Sequence, residues 1–413
     1  MYSLHLNAEQ LEFRDTIRDF VASEIKPVAL HPDRLQPFEK PLLTELLDKA
    51  SQMGLRTLAL PEEAGGAGAD TLTTCIVLEE LAAGDVDLAM ALGQTAMLAR
   101  EIFGPATSPE AREFLSKFTA DETYHLALAG ARSEVVGWSY HRPFTESPSA
   151  EVSAAKRGAE WILNGTAPFV ANAPIAKLFA VVARTEAAGT RSTFLVPRDA
   201  PGVSVGDATR AIGGTAAGAE PGIRWHHGPG AGVVFKDCRV PASRLLGKAG
   251  QDLARGVPAV RGDPPLAAVN LGVGRAAYEA AVEYAKLRRQ GGRNIIEHQA
   301  IGGKLADCAM KLELARTMIW KAAWVADHPE AIADRSVAPL PLHAIARIHT
   351  AEAVHDVTLY AAECFGAMGV MRDMPLQKYV HDGMVFLHSE ETDTASKLQI
   401  AEAVAGYQRP LAA

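Results

Sequence analysis

The chain has 413 residues, 22% charged and 48% hydrophobic, which places it among globular proteins of two to three domains. A net charge of −8 excludes a nucleic-acid role that rests on a basic surface. The four cysteines, Cys75, Cys238, Cys308 and Cys364, form no CxxC pair, so they read as reduced thiols of a cytoplasmic protein rather than zinc ligands or disulfides.

The opening MYSLHLNAEQ has no basic end followed by an apolar core, so no secretory leader is expected. No apolar run approaches the ~18 residues of a membrane span. Asn7 to Gln10 can cap a helix that carries Phe13, Ile17, Phe20, Val21 and Ile25 on one face and that Pro27 should stop. A second helix runs from about Leu42 to Met53 and closes at Gly54. The stretch Leu58 to Asp70, LALPEEAGGAGAD, lacks the Lys-Ser/Thr of a phosphate loop and reads as a turn before a helix capped by Asp70. Apolar helices continue to about Phe118.

From His125 to about Arg239 short β-branched and aromatic runs alternate with turn residues, which predicts a small β-barrel or paired-sheet domain. VSAAKRG and EWILNG straddle Gly158, and Asn164-Gly165 is a hairpin signal. KLFAVVAR, RSTFLVPR and VVFKDCRVP read as further strands. Gly213 to Gly232 holds seven glycines and the pair His226-His227; with no third ligand nearby, no metal is expected, and the stretch should be an extended surface excursion.

Leu253 onward is helical, with breaks at Pro264-Pro265 and from His328 to Pro341. Gly272-x-Gly274 lies within a helical pattern, which rules out a Rossmann turn, and Glu352-x-x-His355 occurs once, too little for a di-iron site. A helix from about Arg275 to Arg289 meets a second long one through the loop GGRN. In the second, Leu305, Ala309, Leu312, Ala315 and Ile319 recur at helical spacing. The corner carries Arg288, Arg289 and Arg293. Such a corner is either a solvated helix end or a place where guanidinium forks onto phosphate.

The run YAKLRRQGGRNIIEHQAIGGKLADCAMKLELAR, together with LALPEEAGG and LEELAAGD near the start, resembles the acyl-CoA dehydrogenases over nearly the whole chain. The resemblance implies an α+β multidomain fold. An N-terminal helical domain (1–122), a middle β-barrel domain (123–245) and a C-terminal helical bundle (246–413) are expected. It implies FAD as cofactor, an acyl-CoA thioester as substrate and an electron-transfer flavoprotein as electron acceptor. The assembly is expected to be a homodimer or homotetramer, or a heteromer with a related subunit. Arg288 matches the arginine that binds the FAD pyrophosphate of a neighbouring subunit, and Gln299 a glutamine facing that FAD. The family usually has phenylalanine where this chain has Gly291.

By the same resemblance Phe169 and Ala171, Leu128 and Ala129, and Thr392 and Thr394 fall at cofactor positions. So do Glu363, Gly366, Ala367 and Gly369, where the family motif is Gln-x-x-Gly-Gly-x-Gly. Ser133, Asn172 and Ser389 fall at substrate positions. The stretch Leu126 to Glu134 is shorter than the family's and lacks its flavin-bonding threonine, and Asp263 replaces an arginine. The segment FLHSEETDTASKLQI, taken alone, is an acidic entry into a helix. Counted from Pro375 as the family is, it gives Glu390 as the base that takes the α-proton, with Glu391 replacing a glycine. A carboxylate suits the task because burial can raise its pKa toward working pH. The implied function is α,β-dehydrogenation of an acyl-CoA, with hydride passing to the flavin. Two alternatives stand beside it: a degenerate non-catalytic subunit, and a flavin enzyme of altered chemistry, such as an oxygenase or desulfinase.

Overall fold

The structure is a computed structural model; it describes residues 5–32, 42–104, 109–130, 152–185, 190–206, 227–250, 258–371, 373–388 and 393–406. Six α-helices come first: α1 (Ala8–Phe20), α2 (Lys26–Ala29), α3 (Thr44–Gln52), α4 (Thr71–Ala82), α5 (Val86–Phe103) and α6 (Pro109–Ala120). Strands follow: β1 (His125–Ala129), β2 (Ser153–Arg157), β3 (Glu160–Ala171), β4 (Ala176–Thr185), β5 (Arg191–Pro197), β6 (Val203–Val205), β7 (Gly230–Pro241) and β8 (Leu245–Leu246). The rest is α7 (Pro258–Leu287), β9 (Arg289–Gln290), β10 (Arg293–Asn294), α8 (Gln299–Asp327), α9 (Glu330–Ala333), α10 (Leu342–Phe365), α11 (Leu376–Leu387) and α12 (Asp393–Val404). Helices, a central sheet and helices again are therefore the fold. No helix among the described residues is long and apolar enough to cross a membrane.

The chain groups into two compact units. One comprises residues 1–41, 70–89 and 259–413; the other comprises 42–69 and 90–258. In the second unit the strand order is β6-β7-β3-β2-β4-β5-β8, and β4 shares one edge between β1 and β2, both parallel to it. Period-2 alternation sorts the side chains. Ala127, Phe179, Val181, Phe194 and Val196 join Trp161 and Phe235 in one core; Leu126, Leu178, Ala180 and Leu195 turn the other way, onto Leu98, Phe103 and Phe118 of the helices.

The first unit packs α4, α7, α8 and α10 around Ile76, Leu271, Leu312, Ile319 and Val357. Gly272 lets α7 come against α4, since a Cβ there would meet Glu79 O at 2.4 Å. Asp327 at the end of α8 accepts from the backbone N–H and the hydroxyl of Thr71 at 2.7 and 3.0 Å, capping α4 from 256 residues away.

The Asn7–Gln10 capping box forms as expected. Three local expectations are corrected. Pro27 does not stop the first helix: a π turn over Val21–Ile25, in which Lys26 N–H reaches Val21 O, leads into α2 with the proline in its first turn. The proline has no N–H to give to the preceding turn, and that loss falls where the bonding changes from π to α. Asn164-Gly165 is not a hairpin; the turn is at Gly158 (φ +61), and β3 runs on through Gly165 with a bulge. The Asn164 side chain holds that bulge by accepting from Asp237 N–H at 2.8 Å. Pro264-Pro265 does not break α7. Ala267, Ala268 and Leu271 just beyond are core residues, and their burial offsets the two lost backbone bonds. Most of the glycine-rich stretch, 207–226, lies outside the described residues; Gly230 to Gly232 begin β7.

Candidate functional site

The basic corner is a two-residue hairpin. Gly291 (φ +60) and Gly292 (φ +84) both take the left-handed conformation that the tight β9–β10 turn demands. This accounts for glycine at 291, since a larger residue would be strained there and its Cβ would stand 3.2 Å from the His298 ring. The backbone of Arg288 is pinned on both sides, its N–H donating to Tyr284 O at 2.8 Å and its carbonyl accepting from Ile295 at 2.9 Å. Its side chain is exposed, and among the described residues no carboxylate pairs with it. Gln299 opens α8 and is also exposed.

At the end of α10, Gly366 (φ +57) turns the chain and Gly369 is buried, with room for no Cβ because Ala362 O would lie 2.5 Å away. Ala367 is exposed between them. Glu363 forms a short ion pair with Lys304 of α8, and Lys304 also sits 5.0 Å above the Tyr360 ring. The hydrogen bond that Lys304 donates to Glu363 raises the Lys304 pKa, so the charge that replaces the family's neutral glutamine has a counter-charge beside it. Tyr284 stacks on Phe365 with ring centres 4.1 Å apart, joining the end of α7 to this turn.

On the sheet, Phe169 and Ala171 share one side of β3 and are half-buried, as is Leu128 on β1; Ala129 is fully buried. Asn172 follows with φ +64, and its side-chain amide donates to Ala91 O at 2.9 Å, Thr95 Oγ1 at 3.2 Å and Leu126 O at 3.4 Å. Asn172 therefore clamps the end of β3 to α5 and β1. Thr95 in turn meets His125 Nδ1 at 3.2 Å. Burial, with Arg56 nearby, lowers the His125 pKa to about 4. Ser133 lies outside the described residues.

Segment 389–392, with Ser389, Glu390, Glu391 and Thr392, also lies outside them; Thr394 belongs to the first turn of α12. What flanks that segment is described. In α11, Lys378 and Asp382 form a buried ion pair at 2.6 Å. Arg347 of α10 makes a short hydrogen bond to Ser396 of α12 and lies 3.8 Å from Asp263 of α7, which also accepts or shares a proton with His343 Nδ1 at 2.9 Å. Sequence reading marked Asp263 only as a departure. Its partners could have been sought through the His343/Arg347 spacing of four, which puts two basic groups on one helix face. Nor did it find the ion-pair knot of Glu79 and Glu80 with Arg275 and Arg316, whose members are as much as 237 residues apart.

Family models for the acyl-CoA dehydrogenase N-terminal, middle and C-terminal domains match residues 7–122, 145–221 and 263–405. The chain belongs to the acyl-CoA dehydrogenase family. The rat mitochondrial short-chain specific acyl-CoA dehydrogenase is 28% identical over 405 residues, 97% of this chain and 90% of that one. The butyryl-CoA dehydrogenase structure from Megasphaera elsdenii superposes with a TM-score of 0.79 at 25% identity, covering 98% of this chain and 100% of that one. The structure of PigA with FAD and proline superposes with a TM-score of 0.80 at 22% identity over 98% and 99% of the two chains, a likeness of fold. Acyl-CoA dehydrogenases are FAD enzymes. This chain's residues fit such a group in two separate places: half-buried apolar surface at Leu128, Phe169 and Ala171 suits a flat ring, and exposed Arg288 suits phosphate.

Proposed function

We propose that the chain is an FAD-dependent acyl-CoA dehydrogenase that removes an α-proton and a β-hydride from an acyl-CoA thioester. The observation that supports this most is the family match along all three domains, taken with a carboxylate, Glu390, at the base position. When bound, FAD supplies the hydride acceptor. Glu390 takes the α-proton, Arg288 holds FAD phosphates across a subunit interface, and Gln299, Thr392 and Thr394 complete the cofactor's surroundings. Ser133, Asn172 and Ser389 belong to the substrate side, Asn172 by positioning β3. Glu391, where the family has glycine, puts a second carboxylate next to the base in sequence, and two carboxylates facing one pocket would couple and raise each other's pKa. Electrons leave to an electron-transfer flavoprotein, and the working form is an oligomer, with domains at 1–122, 123–245 and 246–413.

The test is anaerobic flavin bleaching by a panel of acyl-CoA thioesters. Glu390→Gln should keep fold and FAD but lose bleaching by about two orders of magnitude or more, since an amide takes no proton. Bleaching at the parent's rate would place the base elsewhere. A parent that bleaches only when a related subunit is added supports the second reading, a non-catalytic subunit, which the missing threonine in Leu126 to Glu134 favours.

A further inference from the structure

Two ion pairs of the same kind stitch α8 to α10. Lys311 meets Asp356 at 2.7 Å, and Lys304 meets Glu363 in a shorter contact. They differ in what stands around them. Asp356 lies within α10, whereas Glu363 lies in its last turn, just before Gly366 turns the chain. The nearby Phe365 stacks on Tyr284, whose carbonyl accepts from the N–H of Arg288. Arg288, just past α7, and Lys304, near the start of α8, are thereby brought to one end of the helical unit. Lys304 also has the Tyr360 ring 5.0 Å from its ammonium, a second seat that needs no carboxylate. The Lys304 side chain is 37% exposed and that of Glu363 56%, so a ligand can reach both.

We propose that Lys304 is a second cation for the FAD diphosphate, in addition to Arg288, and that Glu363 holds it part-neutralised. The proposal deepens the reading above and rests on its assignment of FAD to Arg288 and the Gly366 turn. An ion pair this exposed is weak, because water screens it and two long side chains must be held still. A lysine stem is long and flexible enough to swing its ammonium from a carboxylate to a phosphate. Charge favours the swing, since a diphosphate carries more negative charge than one carboxylate. Once Lys304 turns to phosphate, Glu363 faces the diphosphate as a like charge. The chain therefore binds FAD less tightly than its cations allow, and a neutral amide at position 363 would release that affinity.

The experiment measures the FAD dissociation constant of the purified full-length protein by equilibrium dialysis, with ADP and adenosine as competitors. Glu363→Gln should tighten FAD binding by about tenfold, a gain that damage to the fold does not produce. Adding Lys304→Gln to Glu363→Gln should lose about tenfold again, and adding Lys304→Arg instead should keep the affinity. The same loss should appear for ADP but not for adenosine, which has no phosphate. At the sister pair, Asp356→Asn and Lys311→Gln should leave all three constants unchanged. A Glu363→Gln, Lys304→Gln double variant that binds FAD as tightly as Glu363→Gln alone overturns the proposal, because Lys304 then only masks Glu363. An equal gain from Asp356→Asn overturns it too, since the effect would then be a distant field. Either result leaves the dehydrogenase reading standing. A parent that binds FAD but is bleached by no thioester overturns that reading, while the same variants still decide the role of Lys304. A parent that binds neither FAD nor ADP overturns both.

Discussion

Arginines in two places on the same helical unit meet opposite fates. Arg275 and Arg316 are sunk among carboxylates: Arg275 reaches Glu79 at 3.1 Å, Glu80 at 2.7 Å and Glu279 at 3.0 Å, and Arg316 reaches Glu79 at 2.8 Å. Burial pulls the Arg275 pKa down, and Glu79, Glu80 and Glu279 more than restore it. Arg288, just past the end of the helix that carries Arg275, is exposed and has no carboxylate partner among the described residues. The first pair spend their donors on the fold. Arg288 leaves its donors to solvent among the described residues, as the proposed phosphate role requires. An arginine's role thus follows from whether the packing around it has already supplied its anion.

The largest expected effect breaks the knot. Glu79→Gln leaves Arg275 and Arg316 short of their shared counter-charge and should destabilise by about 3–5 kcal/mol in denaturant unfolding, with FAD content per folded chain unchanged. A loss under about 1 kcal/mol would mean that the knot is solvated and that the contrast with Arg288 is false.

His125 sharpens the contrast by showing a third answer, a buried group kept neutral. Its pKa of about 4 lies below the ordinary 6.5, so the unfolded chain binds the proton first. Stability from this residue is complete above pH 6.5 and drains as pH falls toward 4, by about 3 kcal/mol in all. His125→Gln should flatten that slope in unfolding measured across the window; an unchanged slope assigns it to other groups.

Gly291→Ala should cost about 1–2 kcal/mol, because alanine is strained at the positive φ of the turn that presents Arg288. Smallest in stability is Arg288→Ala, within about 0.5 kcal/mol, as befits an exposed side chain. It should nonetheless lower FAD retention on gel filtration. Unaltered retention would return the corner to a solvated helix end.

Helices and strands were readable wherever one period dominated. The run Leu305, Leu312, Ala315, Ile319 is buried as its spacing predicts, although Cys308 takes the core place given to Ala309, which is half-buried. The misreadings share one cause. Pro27, Pro264-Pro265 and Asn164-Gly165 are local signals, and tertiary packing or a π turn or bulge overrode each. At the site, the resemblance supplied positions without surroundings. It named Glu363 as a departure but not Lys304, which neutralises it, and it named Asn172 without the three acceptors that consume its amide. Partners 46 or more residues away leave no mark on local pattern.

The capping of Thr71 by Asp327 also bears on the order of events during synthesis. One unit is made wholly from residues 42–69 and 90–258, whereas the other needs everything after 259 to be present. A ribosome-bound chain therefore exposes all of the sheet-bearing unit before Arg275, Arg316 or Asp327 has emerged. Glu79, Glu80 and the start of α4 must wait, hydrated, for partners translated much later. The contacts of the sheet-bearing unit can therefore form before those of the helical unit, whose early segments find their partners only among residues after 259.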